Sequence, residues 1–175
     1  MKQLDGTGLK RLHRSWRQRT TRRIALVLDN VGTPVNVGAI VRSAAAFGVE
    51  HLWCAGASAP PTAPGAAKVA LGTDRYVAWS ATDTVDEAIA ISRAEGFFVI
   101  GLELADESAP LHGRAWPGAV CLVVGHEDHG LSKGAIAACD AVAYVPLIGR
   151  VGSINVATAT AIALYELRRA EWETS

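Results

Sequence analysis

A chain of 175 residues, half of them apolar and 19% charged, is long enough to bury a sizeable core and most simply makes one domain. No apolar run nears the roughly 20 residues that a membrane span needs, and the basic N-terminus has no apolar segment of a secretory leader behind it. The net charge of zero hides an asymmetry: residues 1–23 hold eight basic groups against Asp5, a balance of +7, and the remainder carries −7. A basic arm on an acidic body is suited to hold a polyanion near a site on that body; the plainer reading is an arm that docks on the body or on a partner subunit. Cys54, Cys121 and Cys139, scattered and without metal-ligand spacing, indicate buried free thiols in a reducing compartment, so a cytoplasmic protein is expected.

In chain order, residues 8–23 read as a polar helix or a frayed arm, with Leu12 and Trp16 at i,i+4 as its apolar anchors. IALVLD (24–29) is an apolar, β-branched run of buried-strand length. After a polar loop, Asn36 is expected to N-cap a helix running to Phe47, with Val37, Ile40, Val41 and Ala44 as its buried stripe and Gly48 closing it. HLWCA (51–55) is a second strand, which completes a βαβ unit and predicts a parallel pair. ASAPPTAPGAA (57–67) reads as a loop from its prolines and small residues, residues 67–72 fit no pattern, and RYVAW (75–79) has strand composition. Asp83 is placed as the cap of a helix with an acidic first turn and Gly96 at its end. Strands at 97–104 and 119–125 follow, then a turn through HEDHGL and a short helix from Ser132 to Cys139. A strand at 141–146 and a helix after Ser153 complete the chain. Alternating strands and helices, with several strands apolar throughout, describe an α/β fold: a mostly parallel sheet flanked by helices on both faces.

In such sheets ligands sit beyond the carboxyl ends of the strands, and four loops meet that condition: 30–38, 102–113, 125–131 and 147–155. The first leads into NVGAIVR, where Arg42 leans back one turn over Gly38; the missing side chain leaves the guanidinium room to reach toward Asn36. In VVGHEDHGLS, Gly125 lets a ligand approach the backbone after a buried strand and Glu127 is presented at the sheet edge. The run His126, Glu127, Asp128, His129 lacks the i,i+4 histidine pair of a zinc helix and reads as a polar turn, so no metal is expected. In the last stretch, Tyr144–Leu167, Gly149 and Gly152 open a loop, and Ser153 and Asn155 stand at the capping positions of a helix. There is no G-K-[ST], no G-x-G-x-x-G after the first strand and no G-x-S-x-G around Ser153. Phosphate-loop, dinucleotide and serine-hydrolase chemistries are therefore set aside.

Taken together and in order, NxGAIxRSAAAFG, LVVGHEDHGLS and VPLIGxVGSINVAxATAIALYEL resemble the three signature motifs of the SpoU/TrmH-type RNA ribose 2′-O-methyltransferases of the SPOUT superfamily. The resemblance covers about residues 24–170. It implies an α/β fold with a deep C-terminal trefoil knot, a methyltransferase domain over 24–175 behind the basic arm of 1–23, a homodimer, and S-adenosylmethionine (AdoMet) as methyl donor. By position it implies AdoMet contacts around Leu102, Gly125, Val145, Leu147 and Ile154. It implies a catalytic cluster of Arg42, Asn36, Glu127, Ser153 and Asn155 acting on a ribose 2′-hydroxyl. Arg11, Arg14, Arg17, Arg19, Arg22, Arg23 and Arg150 are the expected RNA-binding cations. Relatives that modify the tRNA D-loop often carry helical extensions at both ends, and the C-terminal one is expected to be nearly absent here. The expected substrate is structured RNA, tRNA rather than rRNA. The alternative is a knotted RNA- or AdoMet-binding module without catalysis, such as an assembly factor.

Overall fold

The computed structural model describes residues 3–173; Lys2, counted in the basic arm, and the last two residues of the expected domain lie outside the described residues. Helix α1 (Gly6–Gln18) precedes strand β1 (Arg23–Asp29), helix α2 (Pro34–Phe47), strand β2 (His51–Ala55) and helix α3 (Pro64–Ala70). A 3₁₀ turn (Asp74–Tyr76) leads to strand β3 (Ala78–Thr82), helix α4 (Val85–Ala94), strand β4 (Phe98–Leu102) and the short strand β5 (Ala109–Pro110). Strand β6 (Ala119–Val124), helix α5 (Lys133–Ala138), strand β7 (Ala141–Tyr144) and helix α6 (Val156–Trp172) finish the chain.

The seven strands form one sheet in the order β3-β2-β1-β6-β4-β7-β5, and every pairing is parallel. The continuously apolar runs take its centre because alternate side chains feed two cores. Ile24, Leu26, Leu28, Leu122 and Val124 pack beneath α2, α3 and α6, whereas Ala25, Val27, Cys121 and Val123 pack beneath α4 and α5. Burial pushes the Cys54 thiol up to about 12 and Cys139 to about 11, so both stay protonated near neutrality. No helix among the described residues is long and apolar enough to cross a membrane.

Several local expectations are corrected by the structure. Helix α2 starts before Asn36: Thr33 takes the N-cap position and Pro34 the first turn, where a missing N–H removes no bond. Asn36 is thereby inside the helix, with its side chain released for contacts across the sheet edge. Proline plays the same part in the supposed loop of 57–67, where Pro64 initiates α3 and the alanines after it propagate the helix. Thr84, not Asp83, caps α4: its hydroxyl accepts from Glu87 N at 3.2 Å while the Glu87 carboxylate accepts from Asp83 N at 3.0 Å. RYVAW divides into a 3₁₀ turn and the start of β3.

Gly38 also has a different cause from the one expected. A Cβ there would stand 2.3 Å from Ala66 O and 2.9 Å from Val69 Cβ, so α2 and α3 meet backbone to backbone. Close helix packing, and not room for Arg42, explains a residue that lowers helix propensity by about 1 kcal/mol relative to alanine.

The basic arm divides at its end. Helix α1 buries no residue, and its Trp16 ring lies 4.7 Å from that of Trp172 in α6. Trp172 Nε1 donates to Thr20 Oγ1 at 3.0 Å, which fixes the arm's exit from the body. Arg22 and Arg23, grouped with the arm as RNA-binding cations, both bond to the body, Arg22 half-buried and Arg23 exposed at its surface. The Arg22 guanidinium donates to the carbonyls of Trp116, Pro117 and Leu167. Arg23 pairs with Glu50 and lies 4.4 Å over the Phe97 ring. A charge count cannot distinguish a solvated guanidinium from one that satisfies buried carbonyls.

Candidate functional site

Beyond the carboxyl ends of β4, β6 and β7, three backbone segments enclose a cavity of about 630 Å³. Leu102–Leu104 form one wall, Val124–Gly130 the second, and 144–147 with 151–154 the third. The five residues expected to contact a methyl donor, Leu102, Gly125, Val145, Leu147 and Ile154, all line it, and so does Ser153. Its described lining includes the acidic side chains of Glu103, Glu127 and Asp128 and no lysine or arginine. A half-apolar slot with that charge suits a ligand bearing a cationic centre.

The second wall is folded tightly on itself. A Cβ at Gly125 would lie 2.2 Å from Gly130 C and 2.4 Å from Leu131 N, contacts with backbone that no rotamer change relieves. His126 and Gly130 exchange N–H···O bonds of 3.0 and 2.9 Å, with Gly130 in the left-handed region at φ 66°. The His126 and His129 rings stack at 4.8 Å, and His126 Nδ1 accepts from Asp128 N at 3.0 Å. The histidine and acid run is therefore a polar turn. Among the described residues no group of three or more His, Cys, Asp or Glu side chains could hold a metal ion.

At the cavity's edge one hydrogen-bonded chain joins all three sequence motifs. Asn36 Nδ2 donates to Glu127 Oε1 at 2.8 Å, and Thr33 N donates to the same oxygen at 3.1 Å. Asn155 Nδ2 donates to Asn36 Oδ1 at 2.9 Å. Asn155 Oδ1 accepts from Ala157 N at 2.9 Å and Thr158 N at 3.3 Å, so Asn155 is the N-cap of α6 and Ser153 is not. The direction of the chain follows from its end. An ionised carboxylate only accepts, so the Asn36 amide turns its NH₂ to Glu127 and leaves its oxygen for Asn155.

Burial alone would push the Glu127 carboxyl up. The hydrogen bonds from Asn36 and Thr33 outweigh it and draw the group down to about 2 from an ordinary 4.5. A pKa lowered in the folded state gives a contribution that is complete above about pH 4.5 and lost as pH falls toward 2. The stability difference between the wild-type chain and Glu127→Gln should therefore be flat at neutral pH and shrink across that window. Denaturant titrations at a series of pH values measure it; a difference independent of pH down to 2 would show that the carboxylate is not held this way.

Two expected site residues stand apart from this cluster. Arg42 is exposed, does not line the cavity, and has no hydrogen bond or ion pair with any described residue. It does not reach back to Asn36: six residues carry it about 9 Å along α2 and turn it onto another side of the helix. Arg150 lies exposed in the loop before α6, near the exposed Ile148 and Val151.

The model of the SpoU rRNA Methylase family matches residues 23–165. The chain belongs to that family. Among its SpoU relatives is the 23S rRNA (guanosine-2′-O-)-methyltransferase of Acinetobacter baylyi, 33% identical over 153 residues, which are 87% of this chain and 62% of that protein. The chain thus spans about three fifths of the length of the curated relatives it matches. A crystal structure of an AdoMet-bound rRNA methyltransferase from Sinorhizobium meliloti superposes with a TM-score of 0.79 at 28% identity, covering 89% of this chain and 60% of that one. The TrmH/SpoU tRNA modifying enzyme of A. aeolicus superposes with a TM-score of 0.78 at 28% identity, covering 95% of this chain and 85% of its own.

Two acidic residues at this sheet edge carry no motif signal. Asp29, 1% exposed, ends β1, and Glu103 follows β4. An acidic residue directly after an apolar strand is the one hint that the sequence offers, and it does not say what the carboxyl meets.

Proposed function

We propose that this chain is an AdoMet-dependent RNA ribose 2′-O-methyltransferase. The observation that carries the reading is the cavity whose edge bears the Glu127–Asn36–Asn155 chain, because it puts a ligand slot and an ordered polar rim at one sheet edge. Leu102, Gly125, Val145, Leu147 and Ile154 would hold AdoMet, whose sulfonium supplies the methyl group and whose charge suits the acidic lining. Membership of the SpoU family and the AdoMet-bound S. meliloti neighbour support this assignment.

The protein's part is to bring a weak nucleophile into line and to help it lose a proton. A carboxyl drawn down to about 2 is a poor general base near neutrality, so Glu127 acts as a positioning residue for Asn36 and Asn155. Ser153 and Asn155 face the substrate at the cavity's mouth. Arg42, bonded to no described residue, binds the phosphate beside the target ribose and orients the hydroxyl. Its guanidinium stays charged at any accessible pH, which fits orientation better than proton removal.

Within this reading the substrate is tRNA. Support comes from the A. aeolicus neighbour, described as a tRNA modifying enzyme, which superposes over 95% of this chain. The arm ends at Thr20 rather than at residue 23, because Thr21–Arg23 belong to the body. Arg11, Arg14, Arg17 and Arg19, all exposed, are its RNA-binding cations, joined by Arg150, exposed in the loop before α6. A trefoil knot is supported by β7, which pairs between β4 and β5 before the chain returns through 145–154 to line the cavity. Tracing 98–172 in a crystal structure checks it. A homodimer is supported by apolar side chains left uncovered on α6, Ile162 and Tyr165, and its mass by light scattering decides it.

Incubation with labelled AdoMet and either bulk tRNA or rRNA tests the function. Incorporation into tRNA, mapped to a 2′-O-methyl group, is the expected result; no incorporation into either RNA overturns the enzymatic reading. Removing residues 1–23 would be a poor control, since it takes away the Arg22 and Thr21 contacts. Arg11→Gln, Arg14→Gln and Arg17→Gln together are the better one. They should lower RNA affinity at low salt and flatten the slope of log K against log salt by about 2–3, with AdoMet binding unchanged.

A further inference from the structure

The turn after β6 is held from both sides. In the sheet β6 lies between β1 and β4, and an acidic side chain comes from the end of each neighbour. Leu131 N donates to Glu103 Oε2 at 2.9 Å, and the next amide, Ser132 N, donates to Asp29 Oδ2 at 3.1 Å. The second oxygen of Asp29 accepts from Asn30 Nδ2 at 2.7 Å. The second oxygen of Glu103 accepts from Leu104 N at 2.9 Å, on its own wall of the cavity.

Glu103 therefore spans the gap between two of the three cavity walls, and the fold leaves space for that reach. A Cβ at Gly130 would lie 2.0 Å from Glu103 Oε2, so the carboxyl occupies the volume that a side chain at 130 would need. The left-handed conformation of Gly130 and the passage of the carboxyl both exclude larger residues at that point. The third wall is tied separately, through Asn155, Asn36 and Glu127.

We propose that Glu103 is a positioning residue of the AdoMet cavity, a clasp that sets the distance between the backbone of Leu102 and that of Gly125. Asp29 anchors the far side of the same turn. The inference rests on the reading of the cavity as the methyl-donor site. Backbone groups that must read one ligand from two walls bind it well only if the walls are already at the right spacing, because ordering them on binding reduces affinity. Glu103→Gln keeps the side chain's length but turns one acceptor into a donor, so it opposes one of the two N–H groups it faces.

The test is AdoMet affinity by calorimetry for the wild-type chain, Glu103→Gln, Glu103→Ala, Gly130→Ala and the Glu103→Ala/Gly130→Ala pair. Each single substitution should weaken AdoMet at least tenfold, while RNA affinity measured without AdoMet stays within twofold. The pair should be no weaker than the worse single variant, because both act by removing one clasp. Amide hydrogen exchange at Leu131 and Leu104 should quicken in Glu103→Ala, whatever the ligand. Unchanged exchange at Leu131, or AdoMet affinity within twofold of wild type in Glu103→Ala, overturns the clasp. A wild-type chain that binds no AdoMet while exchange quickens in Glu103→Ala overturns the function proposed for the cavity, and with it the clasp's role in ligand binding.

Discussion

Arg42→Ala should lower methyl transfer by about a hundredfold to a thousandfold and leave both the fold and AdoMet binding intact. The structural cost is small because the side chain is exposed and bonded to no described residue; surface substitutions of that kind usually stay within about 0.5 kcal/mol. The kinetic effect is large because a preorganised cation at a phosphate or at developing charge is worth that factor in enzymes that lose one such group. Arg42→Lys is the sharper variant. It keeps the charge and loses the planar fork, so substantial retained activity would count against an orienting role. Single-turnover methylation, AdoMet affinity and thermal melting separate these outcomes. If Arg42→Ala keeps more than half of wild-type turnover, the arginine has no part in the chemistry.

Arg168→Ala should destabilise the fold by about 3–5 kcal/mol, more than any of the other substitutions named above. The guanidinium is 3% exposed. It donates to Phe47 O at 2.9 Å, Gly48 O at 3.1 Å and Arg22 O at 2.7 Å, and pairs with Glu171 at 3.1 Å. One side chain thereby joins the end of α2, the entry to β1 and the last turns of α6. Glu171 extends the junction by accepting from the backbone N–H groups of Thr21 and Arg22. Against a total stability of roughly 5–15 kcal/mol such a loss is decisive, and it corresponds to a fall in melting temperature of about 6–20 °C. A fall under 2 °C would mean that the carbonyls find other donors. The double variant Arg168→Met/Glu171→Leu should not restore stability, because the carboxylate's backbone donors would then lose their acceptor.

Arg42 and Arg168 differ in how far they can be read in advance. Arg42 stands out in a motif and makes no polar contact with any described residue, whereas Arg168 stands in an ordinary helical stretch and is among its most connected side chains. Arg22 falls between them, visible as charge in the sequence while its guanidinium is taken up by the carbonyls of Trp116, Pro117 and Leu167. For Asn36 the motif marks the residue but not the reason, since Thr33 and Pro34 start the helix and release its amide to bridge Glu127 and Asn155. Gly125 and Gly38 both stand out in the sequence as glycines out of place. The crowding that requires them comes from Gly130 and Ala66, which no local pattern connects to them.

The sequence by itself determined the parallel α/β sheet, the order of its main elements, and the loops that hold the site. Those follow from side-chain periodicity, apolar run length and turn chemistry, all of which act over a few neighbouring residues. Only the tertiary structure decided which guanidiniums are free, which amide bridges and which carboxyl clasps the cavity. Those contacts join residues far apart in the chain, 91 positions for Asn36 and Glu127 and 119 for Asn36 and Asn155. Whether such groups meet depends on how the sheet is ordered and how closely its helices pack, and neither is encoded in any one segment.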